Sequence, residues 1–147
     1  MEYFFYHHEA SIIESTLPQI LEKCIIKNWR ALIKTRVDHL VELDDFLWTF
    51  KADSFLPHGR DDQPRVQHHP IVLSSSAKTA DSFQVVFLLA GSDIKKLNGV
   101  ERCIVFIDGR SERSINYERS RWRKLKAEGE KLNYYQQNPI GEWIKKV

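Results

Sequence analysis

Phe83-Gln84-Val85-Val86-Phe87-Leu88-Leu89-Ala90, closed by Gly91, is the stretch that decides the fold. It is nearly all apolar and partly β-branched, without the alternation of a half-exposed strand. Such a run suits a strand buried on both faces, as in a parallel sheet covered by helices on each side. Working outward, residues 103–107 form a second apolar run, ended by Asp108-Gly109. Residues 111–128 read as one helix, with Gly129 as its C-cap signal. Upstream, residues 71–73, 31–35 and the aromatic 3–6 are further strand candidates. Between them Leu17, Ile20, Leu21, Cys24 and Ile25 recur at the i, i+3, i+4, i+7, i+8 spacing of an amphipathic helix. Thr16-Leu17-Pro18-Gln19 has capping-box spacing and is read as its start. A second helix carries Leu40, Leu43, Leu47 and Phe50. Residues 57–70 hold three prolines and read as a long loop, and residues 93–97 as one or two helical turns. Residues 133–147 look like an irregular tail anchored by Tyr134, Tyr135 and Trp143. Strands separated by helices of this length mean βαβ units. The expected fold is α/β, a three-layer sandwich with a mainly parallel sheet, formed as a single domain over residues 1–147.

This outline is Rossmann-like, which prompts a search for a nucleotide site. The six glycines are Gly59, Gly91, Gly99, Gly109, Gly129 and Gly141. No two have the G-x-G-x-x-G spacing and none precedes a lysine, so neither a dinucleotide fingerprint nor a P-loop is encoded. Composition excludes other classes. The 147 residues carry 22 Lys plus Arg against 20 Asp plus Glu, a net charge of +2, which is not a histone-like coat. Cys24 and Cys103 are too few for a disulfide scaffold and sit in apolar runs, so they read as buried thiols of a cytoplasmic protein. No apolar run is long enough to span a membrane. Residues 1–8 lack the basic-then-aliphatic order of a signal peptide.

No cofactor or metal site is expected. His7 and His8, as neighbours on a strand, point to opposite faces and cannot easily share one ion. His68 and His69 have no Cys pair or spaced histidine to complete a ligand set. Asp81 with Asp93-Ile94-Lys95 loosely suggests a metal-dependent nuclease, the remote alternative. That chemistry needs Asp93 on a strand beside a metal, whereas Asp93 follows Gly91 and suits a helix N-cap. No serine or cysteine lies in a nucleophile motif.

The strongest local signal is electrostatic. Residues 110–126 contain seven cations and two acids, a net +5 that leaves −3 for the rest of the chain. On a helix Arg119, Trp122, Arg123 and Lys126 share one face. A Trp among three cations suits an acidic peptide with an aromatic end, or a single strand of nucleic acid. The plainer alternative is a solvated helix face with Trp122 turned to the core. A second signal is Leu43-Asp44-Asp45-Phe46-Leu47-Trp48, followed by Ser54-Phe55-Leu56-Pro57-His58. Aromatics around a rigid turn suggest a protein-binding patch, against the alternative of a small apolar cluster under the long loop.

Taken in order and spacing, these motifs resemble the chi subunit of bacterial DNA polymerase III holoenzyme. The resemblance rests on Leu17-Pro18, Leu43-Asp44 with Leu47-Trp48, and Ser54-Phe55-Leu56-Pro57-His58-Gly59. It continues through Val86-Phe87-Leu88 leading to Gly91, Phe106 with Asp108-Gly109, Arg119-Ser120-Arg121-Trp122-Arg123, and Leu132-Asn133-Tyr134-Tyr135-Gln136-Gln137. It covers essentially the whole chain and implies a non-catalytic adaptor. Family members bind the acidic, Phe-terminated tail of single-stranded DNA-binding protein, which here implies Arg119, Trp122, Arg123 and Lys126, with Ile107 a wall of the Phe pocket. Trp122 stands where many relatives have Tyr, and Arg123 where many have Lys. The family's second surface binds the psi subunit and, through it, the clamp loader; in some relatives it serves a repair helicase. Here that implies Trp48, Phe55, Leu56, Pro57 and His58. DNA would be met only indirectly. Direct single-strand binding by the basic helix is the rival reading.

Overall fold

The computed structural model describes residues 1–49, 56–64, 68–75, 82–93 and 99–147. Among these residues eight strands form one sheet: β1 (Glu2–His8), β2 (Ala31–Lys34), β3 (His58–Arg60), β4 (Ile71–Ser74), β5 (Val85–Leu88), β6 (Arg102–Asp108), β7 (Lys131–Gln137) and β8 (Trp143–Lys145). The helices are α1 (Ile13–Ile26), α2 (Leu40–Thr49) and α3 (Glu112–Ala127), with a 3-10 turn at Val37–His39 before α2. Strand order is β3-β4-β2-β5-β6-β1-β7-β8, parallel throughout except for the antiparallel β7–β8 pair.

The central strand β5 is buried at every position, and its alternate residues split between two cores. Val85, Phe87 and Leu89 join Ile33, Ile104 and Phe106 in one layer with Leu17 and Leu21 of α1 and Leu43 and Leu47 of α2. Val86 and Leu88 join Leu32, Val105 and Phe5 in the other, closed by Leu125 and the partly buried Ile115 and Trp122 of α3. The three-layer α/β sandwich follows from this two-sided burial. Both cysteines lie inside it, and burial pushes their thiols up to about 11 for Cys24 and about 12 for Cys103.

Several boundaries differ from the sequence reading. α1 begins at Ile13, so Thr16 is helix interior, and its hydroxyl meets His8 Nε2 (3.0 Å) instead of capping. The long loop contains β3, an edge strand beside β4. The largest correction is the tail, which is not irregular: β7 lies parallel to β1, and β8 folds back on β7. Its polar sequence hid a strand because the buried polar groups are satisfied. Asn133 Nδ2 donates to the Glu2 carboxylate (2.9 Å) and the Tyr3 carbonyl (3.1 Å). Gln137 Oε1 accepts the backbone N–H groups of Glu9, Ala10 and Ser11 at 3.0–3.1 Å. Phe50 and the turns expected over residues 93–97, apart from Asp93, lie outside the described residues.

α3 has the ends its sequence announced. Ser111 Oγ accepts the Ser114 N–H (3.2 Å), and Gly129 leaves the helix at φ +77°, a conformation glycine adopts without steric cost. At the other end of the β6–α3 connection, Gly109 donates its N–H to the His8 carbonyl (2.7 Å). A Cβ there would sit 2.1 Å from that oxygen, so only glycine allows β6 to turn so close to β1.

Candidate functional site

α3 lies over the β1–β7 side of the sheet, and its exposed face combines one large ring with several cations. Trp122 is partly buried. Its indole meets the Phe5 ring edge-on (5.1 Å, 75°) and the Tyr134 ring edge-on (5.5 Å, 85°), while Tyr134 stacks on Phe5 (6.3 Å, 12°). Edge and offset contacts of this kind hold rings in one orientation. Trp122 therefore reconciles the two sequence readings: one side is core, the other faces out. Arg119, Arg123 and Lys126 are all exposed around it. Ile107 is 2% exposed in the same apolar layer, so it backs the face from beneath and does not form an open wall.

Tyr134, expected only as an anchor of the tail, and His7, considered only as a metal ligand, both adjoin this face. The Tyr134 hydroxyl and His7 Nδ1 share a hydrogen bond of 2.6 Å. Burial raises the Tyr134 pKa, partly offset by the charge of Arg119; burial lowers that of His7, which Glu9 opposes and Arg119 reinforces. Arg119 thus acts electrostatically on both, at the β7 side of α3. His8, the next residue, faces the other core, as strand alternation requires.

Not every cation of the segment is available. Arg121 turns inward: its Nε is 2.7 Å from Glu118 Oε2 and an Nη is 3.2 Å from Asp93 Oδ1, while that Nη also donates to the Ser92 carbonyl (2.7 Å). Glu118 is 1% exposed, and burial pushes its carboxyl up to about 7 against the pull of Arg121. Tyr117 donates its hydroxyl to Asp93 Oδ2 (2.7 Å). Asp93, the candidate nuclease carboxylate or helix cap, is thus engaged by α3. Its would-be companions Asp81 and Lys95 lie outside the described residues.

The second patch sits at the end of α2. Trp48 is 46% exposed and its ring lies 4.1 Å from that of His58. His58 is 2% exposed; its Nδ1 donates to the Leu56 carbonyl (2.6 Å) and its Nε2 lies 3.0 Å from the Asp44 carboxylate. Leu56 is 1% exposed in the core beneath α2. Two expected contact residues are therefore supports: Leu56 lies in the core and His58, at the start of β3, is buried beside it. Trp48 and the partly exposed Pro57 remain at the surface, and Phe55 lies outside the described residues.

The family model for the DNA polymerase III chi subunit, HolC, matches residues 1–133. The chain belongs to the DNA polymerase III chi subunit family. A chi relative from Rickettsia prowazekii (strain Madrid E), named a probable DNA polymerase III subunit chi, is 26% identical over 155 residues; the match covers 98% of this chain and 91% of the relative. Membership makes this chi chain an accessory, non-catalytic subunit of a DNA polymerase III complex, a component of DNA replication. Among the described residues no helix is long and apolar enough to cross a membrane.

Proposed function

We propose that this chi chain joins the acidic C-terminal tail of single-stranded DNA-binding protein to the clamp-loader side of DNA polymerase III, working in the cytoplasm. The observation that carries this reading is the braced Trp122 ring with Arg119, Arg123 and Lys126 exposed beside it. A terminal Phe packs against the indole and the Tyr134 edge, and the cations receive the carboxylates. Burying one Phe side chain contributes about 1.5–3 kcal/mol. Exposed cation–carboxylate pairs add about 0–1 kcal/mol each, with a bidentate Arg contact at the upper end. After association costs this supports an affinity on the order of micromolar. The second partner, a psi-like subunit or a helicase, docks on Trp48 and Pro57. Phe55 is included there on the family resemblance alone.

A three-way pull-down tests the bridge. Wild type should retain single-stranded DNA-binding protein and a clamp-loader-side partner together; Arg123→Glu should lose the first only, and Trp48→Ala the second only. Loss of both from either single variant would sink the two-surface reading. Direct binding to single-stranded DNA is the rival outcome. It would require tight, steeply salt-dependent binding of an oligonucleotide without any other protein, lost in Arg123→Glu. The inward pairing of Arg121 removes one cation from the count such binding could use.

A further inference from the structure

A crevice of about 810 Å³ opens at the carboxyl ends of β2, β5 and β6, on the opposite side of the first turn of α3 from the Trp122 face. Its position follows from the topology. β1 and β6 are neighbours, but β1 continues into α1 on one face of the sheet and β6 into α3 on the other. Where successive connections leave an open parallel sheet in opposite directions, a cleft forms between them, and such clefts are the usual ligand sites of these sheets. A volume of this size fits a molecule of nucleotide dimensions.

The lining mixes apolar and cationic groups. Leu43 and Phe46 of α2 and Leu89 after β5 are its apolar members, and Arg36, Arg110 and Arg113 its cations. Arg113 has no ion-pair or hydrogen-bond partner among the described residues. Arg36 shares an exposed pair with Asp38 (3.2 Å), and among the described residues the Arg110 guanidinium reaches only the Ala10 carbonyl, at 3.5 Å. The lining carboxylates are Glu42 and Asp108, and Asp108 Oδ1 already accepts the Arg110 N–H (3.0 Å). The 14-residue α1 opens onto the same crevice at Ile12, which supplies no side-chain cap for its first-turn N–H groups.

We propose that this crevice binds a nucleoside phosphate, either free or as one unit of a single strand, with its phosphate among Arg36, Arg110 and Arg113 and its base against Phe46 and Leu43. Guanidiniums grip phosphate oxygens bidentately, so this site does not need the glycine-rich backbone cradle that the sequence lacks. The site is independent of the tail-binding reading, because Arg110 and Arg113 lie before and within the first turn of α3, two to three turns from Trp122.

The test is a nuclear magnetic resonance titration of the full ¹⁵N-labelled chain with thymidine 5′-monophosphate, inorganic phosphate and a short oligothymidylate. The nucleotide should give saturable shifts at the Ile12, Gly91 and Ser114 amides, with inorganic phosphate at least tenfold weaker. The double variant Arg110→Ala, Arg113→Ala should weaken nucleotide binding at least tenfold while binding a tail peptide like wild type. Tighter binding of the oligothymidylate at the same amides assigns a strand as the source; no gain assigns free nucleotide. Absence of saturable shifts at these amides with both nucleotide and oligothymidylate, or shifts undiminished in the double variant, overturns the proposal.

Discussion

Trp122 and Trp48 are two tryptophans at two candidate contact surfaces, and the fold holds them differently. Trp122 is wedged into the apolar layer over β1 and β7, touching Phe5 and Tyr134. Trp48 lies on top of the fold, nearly half exposed, resting on a His58 ring that is itself fixed by Leu56 and Asp44. The first residue is a structural member that is only partly buried. The second is a surface ring on a rigid pedestal. Loss of function at Trp122 therefore mixes contact with stability, whereas loss at Trp48 reports contact more cleanly.

The largest expected effect separates those two roles. Trp122→Ala should destabilise the fold by about 2–4 kcal/mol, because it removes a large, partly buried ring, and should also abolish most tail binding. Trp122→Tyr should recover both, to within about 1 kcal/mol of wild type in chemical denaturation. If Trp122→Ala were as stable as wild type, the ring would not be the structural member described. Next, Arg123→Glu should weaken tail binding about tenfold with an unchanged midpoint of unfolding, since an exposed residue contributes little to stability. Trp48→Ala should cost only about 1 kcal/mol, leave tail binding intact and reduce capture of the second partner.

The smallest effect is a pH slope. Burial raises the Glu118 carboxyl to about 7 in the folded chain, above its unfolded value. The folded state then holds a proton that the unfolded state has released, so this group favours folding at low pH and loses that contribution as pH rises through about 7. His7 and His8, lowered chiefly by burial, act in the opposite sense, losing stability as pH falls below the ordinary histidine range. Glu118→Gln should remove the fall between about pH 4.5 and 7 that belongs to Glu118 alone. A variant with the same slope as wild type would show that Arg121 holds Glu118 ionised throughout.

The same contrast explains what sequence could reveal. β5 was legible because burial on both faces leaves an unbroken apolar run. The face of α3 was legible because helical spacing alone brings residues 119, 122, 123 and 126 together. β7 was not, since Asn133 and Gln137 are buried polar groups whose partners lie in β1 and just beyond it. Tyr134 was not legible as part of the α3 face for the same reason: its ring contact joins β7 to Trp122 of α3, and only the fold brings the two together. The inward turn of Arg121 toward Glu118 has the same i, i+3 spacing as a solvated surface pair, and only packing distinguishes them. At the second patch, the burial of His58 is hidden from sequence because edge strand β3 is only three residues long, and that of Leu56 because its core partners are distant in sequence.

The central claim is that a terminal Phe, not charge alone, anchors an acidic tail on Trp122. Calorimetric titration of wild type with an acidic peptide ending in Phe, and with the same peptide lacking that residue, tests it directly. Binding on the order of micromolar for the first and at least tenfold weaker for the second is the predicted result. Equal affinity for the two peptides would contradict it and leave the α3 face as a nonspecific basic surface.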